Sequence, residues 1–164
     1  MISEAPLLAY PLFTYHLRRY DLSAAADIAQ THYQQAKDTP SGLALWAFNL
    51  GRVAQPERDF TQARSYYEQS LEILLKLGDE YGAAGSYHQL GRVAQEEGDL
   101  QTALSLYGKA FVALDSLNDP HSSGIAMRSI KSLLPELSAS DTTLSQLLSQ
   151  SGLSPDQIKQ ALDS

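Results

Sequence analysis

A chain of 164 residues suits one domain and is long enough to bury its own core, and its lack of cysteine excludes disulfides, thiolate nucleophiles and Cys-ligated zinc. Nineteen Asp and Glu against twelve Lys and Arg give a formal charge of −7, which repels both a nucleic-acid backbone and an anionic membrane surface. No apolar run reaches bilayer-spanning length and Met1-Ile2-Ser3-Glu4 lacks the basic start of a secretory signal, so the expectation is a cytoplasmic protein with no nucleic-acid or membrane partner.

Helical periodicity places a first helix over about Leu7–Arg19, which Pro11 should start or kink. Asp21-Leu22-Ser23-Ala24-Ala25 then opens a second helix in the manner of Asp59-Phe60-Thr61-Gln62-Ala63. Two better-marked pairs follow. Gly51-Arg52-Val53-Ala54-Gln55 recurs unchanged as Gly91-Arg92-Val93-Ala94-Gln95, and aligning 44–83 with 84–123 at this 40-residue offset gives 15 identities. Each unit reads as two helices, about Leu43–Gln55 and Phe60–Leu77 in the first copy. Asp59 and Asp99 stand at N-caps, and Gln62 is placed to complete a capping box. Gly98 supplies a residue that tolerates positive φ before Asp99; Arg58 holds that place in the other copy, so the two turns should differ. Asp119-Pro120 is an N-cap followed by proline in the first turn, opening a further helix over about Ser122–Leu134 with Lys131 in the glycine position.

The mid-helix glycines, Gly51 and Gly91, cost up to about 1 kcal/mol each in helix propensity. They make sense where a neighbouring helix passes close, with Ala63 and Ala103 as the opposing small residues and Tyr67 and Tyr107 filling the remaining space. Trp46 should pack between repeats. The C-terminal stretch Leu144–Lys159 has the outline of a helix-turn-helix with Gly152 in the turn. Its second helix offers Asp156, Gln157, Lys159 and Gln160 in an acidic segment, so a cap over the last repeat is favoured over DNA reading.

Leu50-Gly51 with Ala63-x3-Tyr67, and Leu90-Gly91 with Ala103-x3-Tyr107, resemble the tetratricopeptide repeat pattern, Trp-x2-Leu-Gly-x2-Tyr followed by Ala-x3-Phe and Pro. The aromatic place of the first helix holds Ala47 and Tyr87, the Tyr place holds Ala54 and Ala94, and Gly78-Asp79 and Asn118-Asp119 stand where the pattern has proline. The 40-residue period resembles the bacterial and kinesin-light-chain-like branches of that family. The resemblance covers about residues 6–137. It implies an all-α right-handed superhelix of antiparallel helix pairs, an α-solenoid with repeats over about 6–42, 43–82 and 83–119 and a fourth first helix and cap over 120–164, forming one domain.

At 100° per residue, Leu45, Phe48, Asn49 and Arg52 share one stripe of their helix, opposite Ala47, Leu50, Gly51 and Ala54. His88, Gln89 and Arg92 are the equivalents one repeat on, with Arg128 in the next first helix. This stripe is the expected lining of a concave groove. Guanidinium groups suit carboxylates and carboxamides suit a peptide backbone, so the expected ligand is a protein or peptide, with acidic groups as the favoured chemistry. The competing reading pairs these arginines with neighbouring Asp or Glu on a solvated face. A regulatory sensor repeat domain of a larger signalling protein is the alternative to a plain adaptor, and self-association into a homo-oligomer stays open. His16, His32, His88 and His121 have no His-x3-His spacing, there is no phosphate-cradling Gly-rich loop, and no catalytic constellation can be assembled. No enzyme activity, metal or cofactor is therefore expected.

Overall fold

The computed structural model describes residues 5–137, 146, 149–150 and 152–162. Among these residues the chain is all-α, with eight helices: α1 (Ala5–Arg18), α2 (Leu22–Gln35), α3 (Pro40–Ala54), α4 (Phe60–Leu77), α5 (Glu80–Glu97), α6 (Leu100–Ser116), α7 (Pro120–Leu137) and α8 (Pro155–Leu162). They fall into two compact units, Met1–Leu77 and Gly78–Ser164.

Five helix starts share one local code. Asp21, Asp59, Asp79, Asp99 and Asp119 each accept the backbone N–H three residues on, from Ala24, Gln62, Gly82, Thr102 and Ser122, at 2.9–3.3 Å. Each satisfies a donor that the first helical turn leaves unpaired. The residue before each aspartate has positive φ: Tyr20 at 57°, Arg58 at 60°, Gly78 at 70°, Gly98 at 84° and Asn118 at 55°. The turns at Arg58 and Gly98 are therefore alike, contrary to the difference expected from their sequences. Asp59 N–H donates to Ala54 O at 3.1 Å and Asp99 N–H to Ala94 O at 2.9 Å, and this shared pairing holds Arg58 in the left-handed region despite its Cβ. Nor does Pro11 mark the start of α1; it lies inside the helix, six residues after Ala5, and the helix continues to Arg18.

In the first unit the core gathers Phe13 from α1, Ala25 and Ala29 from α2, and Trp46, Leu50 and Val53 from α3. Trp46 meets the Phe13 ring edge-on at 6.0 Å and stacks on His32 at 4.9 Å, so the indole joins α3 to the preceding helix pair. Between α2 and α4, Tyr33 and Gln69 hydrogen-bond through the tyrosine hydroxyl at 2.8–2.9 Å.

In the second unit the core runs through Tyr107, Phe111, Met127, Ile130, Leu133 and Leu137, and it takes in Leu153 from the turn before α8. Ser154 and Gln157 form a reciprocal capping box: Gln157 Oε1 accepts from Ser154 N–H at 2.8 Å, and Ser154 Oγ accepts from Gln157 N–H at 3.3 Å. Gln157 Nε2 also donates to Asp115 Oδ2 at 2.9 Å, and Ile158 packs on the core. The described part of the tail thus covers apolar surface of the last repeat. Gly152 has φ of 89° and forms the turn expected there, whereas most of the helix expected before it, including Leu144, Leu147 and Leu148, lies outside the described residues.

Of the alanines and tyrosines expected opposite the repeated glycines, it is the tyrosine rings that occupy the space a side chain would need. A Cβ on Gly51 would stand 2.6 Å from Tyr67 Cε1, and one on Gly91 would stand 2.7 Å from Tyr107 Cδ1 and Cε1. Both rings are fully or almost fully buried. Each hydroxyl donates to the last residue of the repeated pentapeptide, Tyr67 to Gln55 Oε1 at 3.2 Å and Tyr107 to Gln95 Oε1 at 2.8 Å. Glycine makes room for the ring, buried Val53/Val93 and Ala54/Ala94 pack, and glutamine ties the phenol. The arginine of the pentapeptide is the one member buried in neither copy.

Candidate partner-binding residues

The expected stripe on α3 divides into different environments. Leu45 is exposed, Phe48 and Arg52 are half-buried, and Asn49 is completely buried. Asn49 therefore does not line an open groove. α3 packs against both α2 and α4, and its Trp46, Leu50 and Val53 join a core with Phe13 of α1. Arg52 lies across this region. Its guanidinium carbon sits 5.4 Å from the centroid of the Phe13 ring, a cation–π arrangement, and Nη1 donates to Asn49 Oδ1 at 3.1 Å. Asn49 Nδ2 has no hydrogen-bond partner among the described residues. Among the described residues Arg52 forms no ion pair.

On α5 the same three places hold His88, Gln89 and Arg92. Arg92 Nη1 donates to Gln89 Oε1 at 3.4 Å, repeating the contact of Arg52 with Asn49. Arg92 is more exposed, however, and its Nη2 stands 3.8 Å from Glu96 Oε1 one turn on. A solvent-exposed pair of this kind contributes little to stability and can exchange partners. The two arginines therefore differ: the competing reading, in which they pair with the protein's own carboxylates, describes Arg92 and not Arg52.

His88 and Phe48 are engaged in packing. The Phe48 ring lies 5.4 Å from Tyr67 and the His88 ring 5.1 Å from Tyr107. His88 Nε2 also hydrogen-bonds Ser129 Oγ of α7 at 3.0 Å. Burial, reinforced by the positive charge of Arg92, holds the His88 pKa below its ordinary value, so the ring is neutral near pH 7. Burial pushes the Tyr107 phenol up to about 12, keeping it protonated as donor to Gln95.

Arg128 continues the stripe at the position of Phe48 and His88, and the position of Arg52 and Arg92 is taken in α7 by Ser132. Arginine therefore stands at this position once in each unit, as Arg52 and as Arg92. Arg128 is exposed and lines a cleft of about 610 Å³ with Phe111, Asp115, Met127 and Lys131. The roles of Gln55 and Gln95 as phenol acceptors were missed in the sequence, although their identity in both pentapeptides was the available signal. Among the described residues no group of three or more His, Cys, Asp or Glu side chains could hold a metal ion, and no helix is long and apolar enough to cross a membrane.

A tetratricopeptide repeat family model matches residues 43–113, which hold both glycine–tyrosine pairs. No curated protein gives a match. Among solved structures, the chain is similar to BtubC (BKLC) from P. vanneervenii, with a TM-score of 0.69 at 17% identity, over 99% of this chain and 66% of that one. At that identity the likeness is one of fold. The chain thus spans about two thirds of the length of this structural relative. Tetratricopeptide repeats are in general protein–protein interaction modules, on a fold that typically serves as a non-catalytic scaffold. The segment 43–113, with its glycine-seated tyrosines and aspartate-capped helices, is thus the part of the chain that matches the tetratricopeptide repeat model, within a fold that is all-α among the described residues.

Proposed function

We propose that this chain is an adaptor that binds a protein or peptide segment bearing carboxylates. The observation that carries the reading is the pairing of Arg52 with Asn49. Arg52 holds a charge with no carboxylate partner among the described residues, and beneath it a fully buried amide nitrogen has no acceptor. The buried amide holds the guanidinium in place through its oxygen, and a ligand carboxylate reaching half-buried Arg52 would neutralise it without displacing an internal ion pair. Leu45, exposed on the same helix, supplies apolar contact area, and half-buried Phe48 adds to it. In the second unit Arg92 and Gln89 repeat the arginine–amide pair with Glu96 as a weak competitor, so each unit offers its own recognition element.

Selection from a displayed random-peptide library, followed by fluorescence anisotropy with the selected peptides, tests this. Carboxylate-rich peptides should emerge, and their affinity should fall as ionic strength rises, because exposed charges are screened beyond about 8–10 Å. Arg52→Glu with Arg92→Glu should weaken binding at least tenfold with an unchanged far-UV circular dichroism spectrum. Selected peptides without acidic residues, or peptides that bind the double variant at full affinity, refute the reading.

A further inference from the structure

We infer that the cleft on α7 is a second docking site, distinct from the Arg52 and Arg92 elements, and that its occupant is a polypeptide segment presenting carboxylates beside an apolar side chain. The inference starts from the repeat register. On α5, the residues that receive α6 are Tyr87, His88 and Gly91: Lys109 lies over the Tyr87 ring at 5.6 Å, Tyr107 stacks on His88 at 5.1 Å, and a Cβ on Gly91 would run into the same tyrosine. Forty residues on, these places are Met127, Arg128 and Lys131. All three line the cleft. The two positions that bound a tyrosine ring in both earlier copies, Phe48 and Gly51, then His88 and Gly91, have become a pair of cations.

The surroundings select an anion with an apolar body. Phe111 and Met127, almost fully buried, supply an apolar floor. At Gly124 the missing side chain leaves Arg128 Nη1 3.7 Å from the place a Cβ would take, so the guanidinium lies over the glycine. Among the described residues neither Arg128 nor Lys131 forms an ion pair. The cleft's own carboxylates are engaged near the α6–α7 turn: Asp119 caps α7 through His121 N–H and Ser122 N–H, and Asp115 accepts from Gln157. At about 1.5 Å per helical residue, Arg128 and Lys131 stand roughly 13 and 18 Å along α7 from that turn. A cleft of 610 Å³ has the size of a small-ligand pocket, but this one opens along three turns of α7, from Pro120 to Lys131, which suits an extended or helical segment. Such a segment would lay an apolar side chain on Phe111 and Met127 and aim carboxylates at the cationic end.

The test uses a short capped peptide of Asp, Glu and Leu residues and its Asn, Gln and Leu counterpart, titrated into the full chain and followed by amide chemical shifts and calorimetry. The acidic peptide should move the amide signals of Gly124 and Met127. Arg128→Gln with Lys131→Gln should weaken its binding at this site at least tenfold, and the amide peptide should bind the native chain weakly by the same margin. Arg52→Glu with Arg92→Glu should leave the Gly124 and Met127 shifts in place. The inference is overturned by full affinity at this site in the Arg128→Gln, Lys131→Gln variant, by equal binding of the amide peptide, or by the absence of shifts at Gly124 and Met127. Shifts confined to the surroundings of Arg52 or Arg92 also overturn it, while leaving the adaptor reading intact.

Discussion

Two glycines in α5 should respond in opposite directions to the same substitution. Gly85 and Gly91 both lie in the interior of the helix, so alanine gains up to about 1 kcal/mol in helix propensity at either place. At Gly85 a new Cβ meets nothing within 4 Å, and the gain should appear in full. At Gly91 it would stand 2.7 Å from two carbons of Tyr107, about an ångström inside an ordinary carbon–carbon contact. That ring cannot move cheaply, being almost wholly buried, tied to Gln95 through its hydroxyl and packed on His88. Overpacking of this kind costs about 1–3 kcal/mol, which outweighs the helical gain and leaves a net loss of up to about 2 kcal/mol. For a chain of this size each kcal/mol moves Tm by about 2–4 °C. Gly85→Ala should raise Tm by about 2–4 °C and Gly91→Ala should lower it, by up to about 8 °C, in melts followed at 222 nm. Both sites lie in the same compact unit, so the comparison holds even where the two units melt separately. If Gly91→Ala stabilises as much as Gly85→Ala, the tyrosine is not what requires the glycine.

Arg58→Gly should raise stability by about 1 kcal/mol in urea denaturation, because a non-glycine residue at positive φ costs about 1–2 kcal/mol and the lost contact of Arg58 with the Phe60 ring returns part of that gain; an unchanged or lower midpoint refutes the strain. Because the His88 pKa is depressed in the folded chain, the native state binds fewer protons than the unfolded one. The contribution of neutral His88 is complete above the ordinary histidine pKa near 6.5 and is lost as pH falls through the lower folded value. Denaturation midpoints should therefore drop between pH 7.5 and 5.5. His88→Phe, which copies Phe48, should flatten that dependence, and an undiminished slope in the variant would assign it to other groups.

The parts of this fold set by local chemistry could be read in advance. The aspartate caps, the helix pairs and the 40-residue register follow from residues that act on their own backbone neighbours. What eluded the sequence was decided by neighbours distant along the chain. The glycine requirement was legible, but the Tyr67 and Tyr107 rings as its cause depend on how α4 lies on α3 and α6 on α5. Helical periodicity put Asn49 on the same stripe as Leu45 and Arg52, yet a helix flanked on two sides keeps only a narrow exposed edge, and Asn49 falls outside that edge. Arg58 shows the converse: its sequence argued against the turn, and the pairing of Asp59 N–H with Ala54 O imposed the turn nevertheless.

The unsatisfied amide of Asn49 separates a ligand-binding role from a purely structural one. Asparagine to aspartate changes almost no volume, but it replaces the orphaned Nδ2 donor with an acceptor beside Arg52. Three terms act on stability. Removing an unsatisfied buried donor recovers about 1–3 kcal/mol, and a charged acceptor strengthens the 3.1 Å contact with Arg52 about twofold. Against these, burial of a carboxylate costs several kcal/mol, which a single well-placed guanidinium offsets in large part. These terms are of similar size, so Asn49→Asp should change stability by no more than about 1–2 kcal/mol. Its effect on binding has no such cancellation, because the new carboxylate neutralises Arg52 from beneath and leaves no free positive charge for a ligand carboxylate. Affinity for acidic peptides should fall at least tenfold while the melt is nearly unchanged. Asn49→Asp that keeps full affinity would show that the ligand does not read the charge of Arg52, and recognition in the first unit would then have to rest on Leu45 and Phe48 alone.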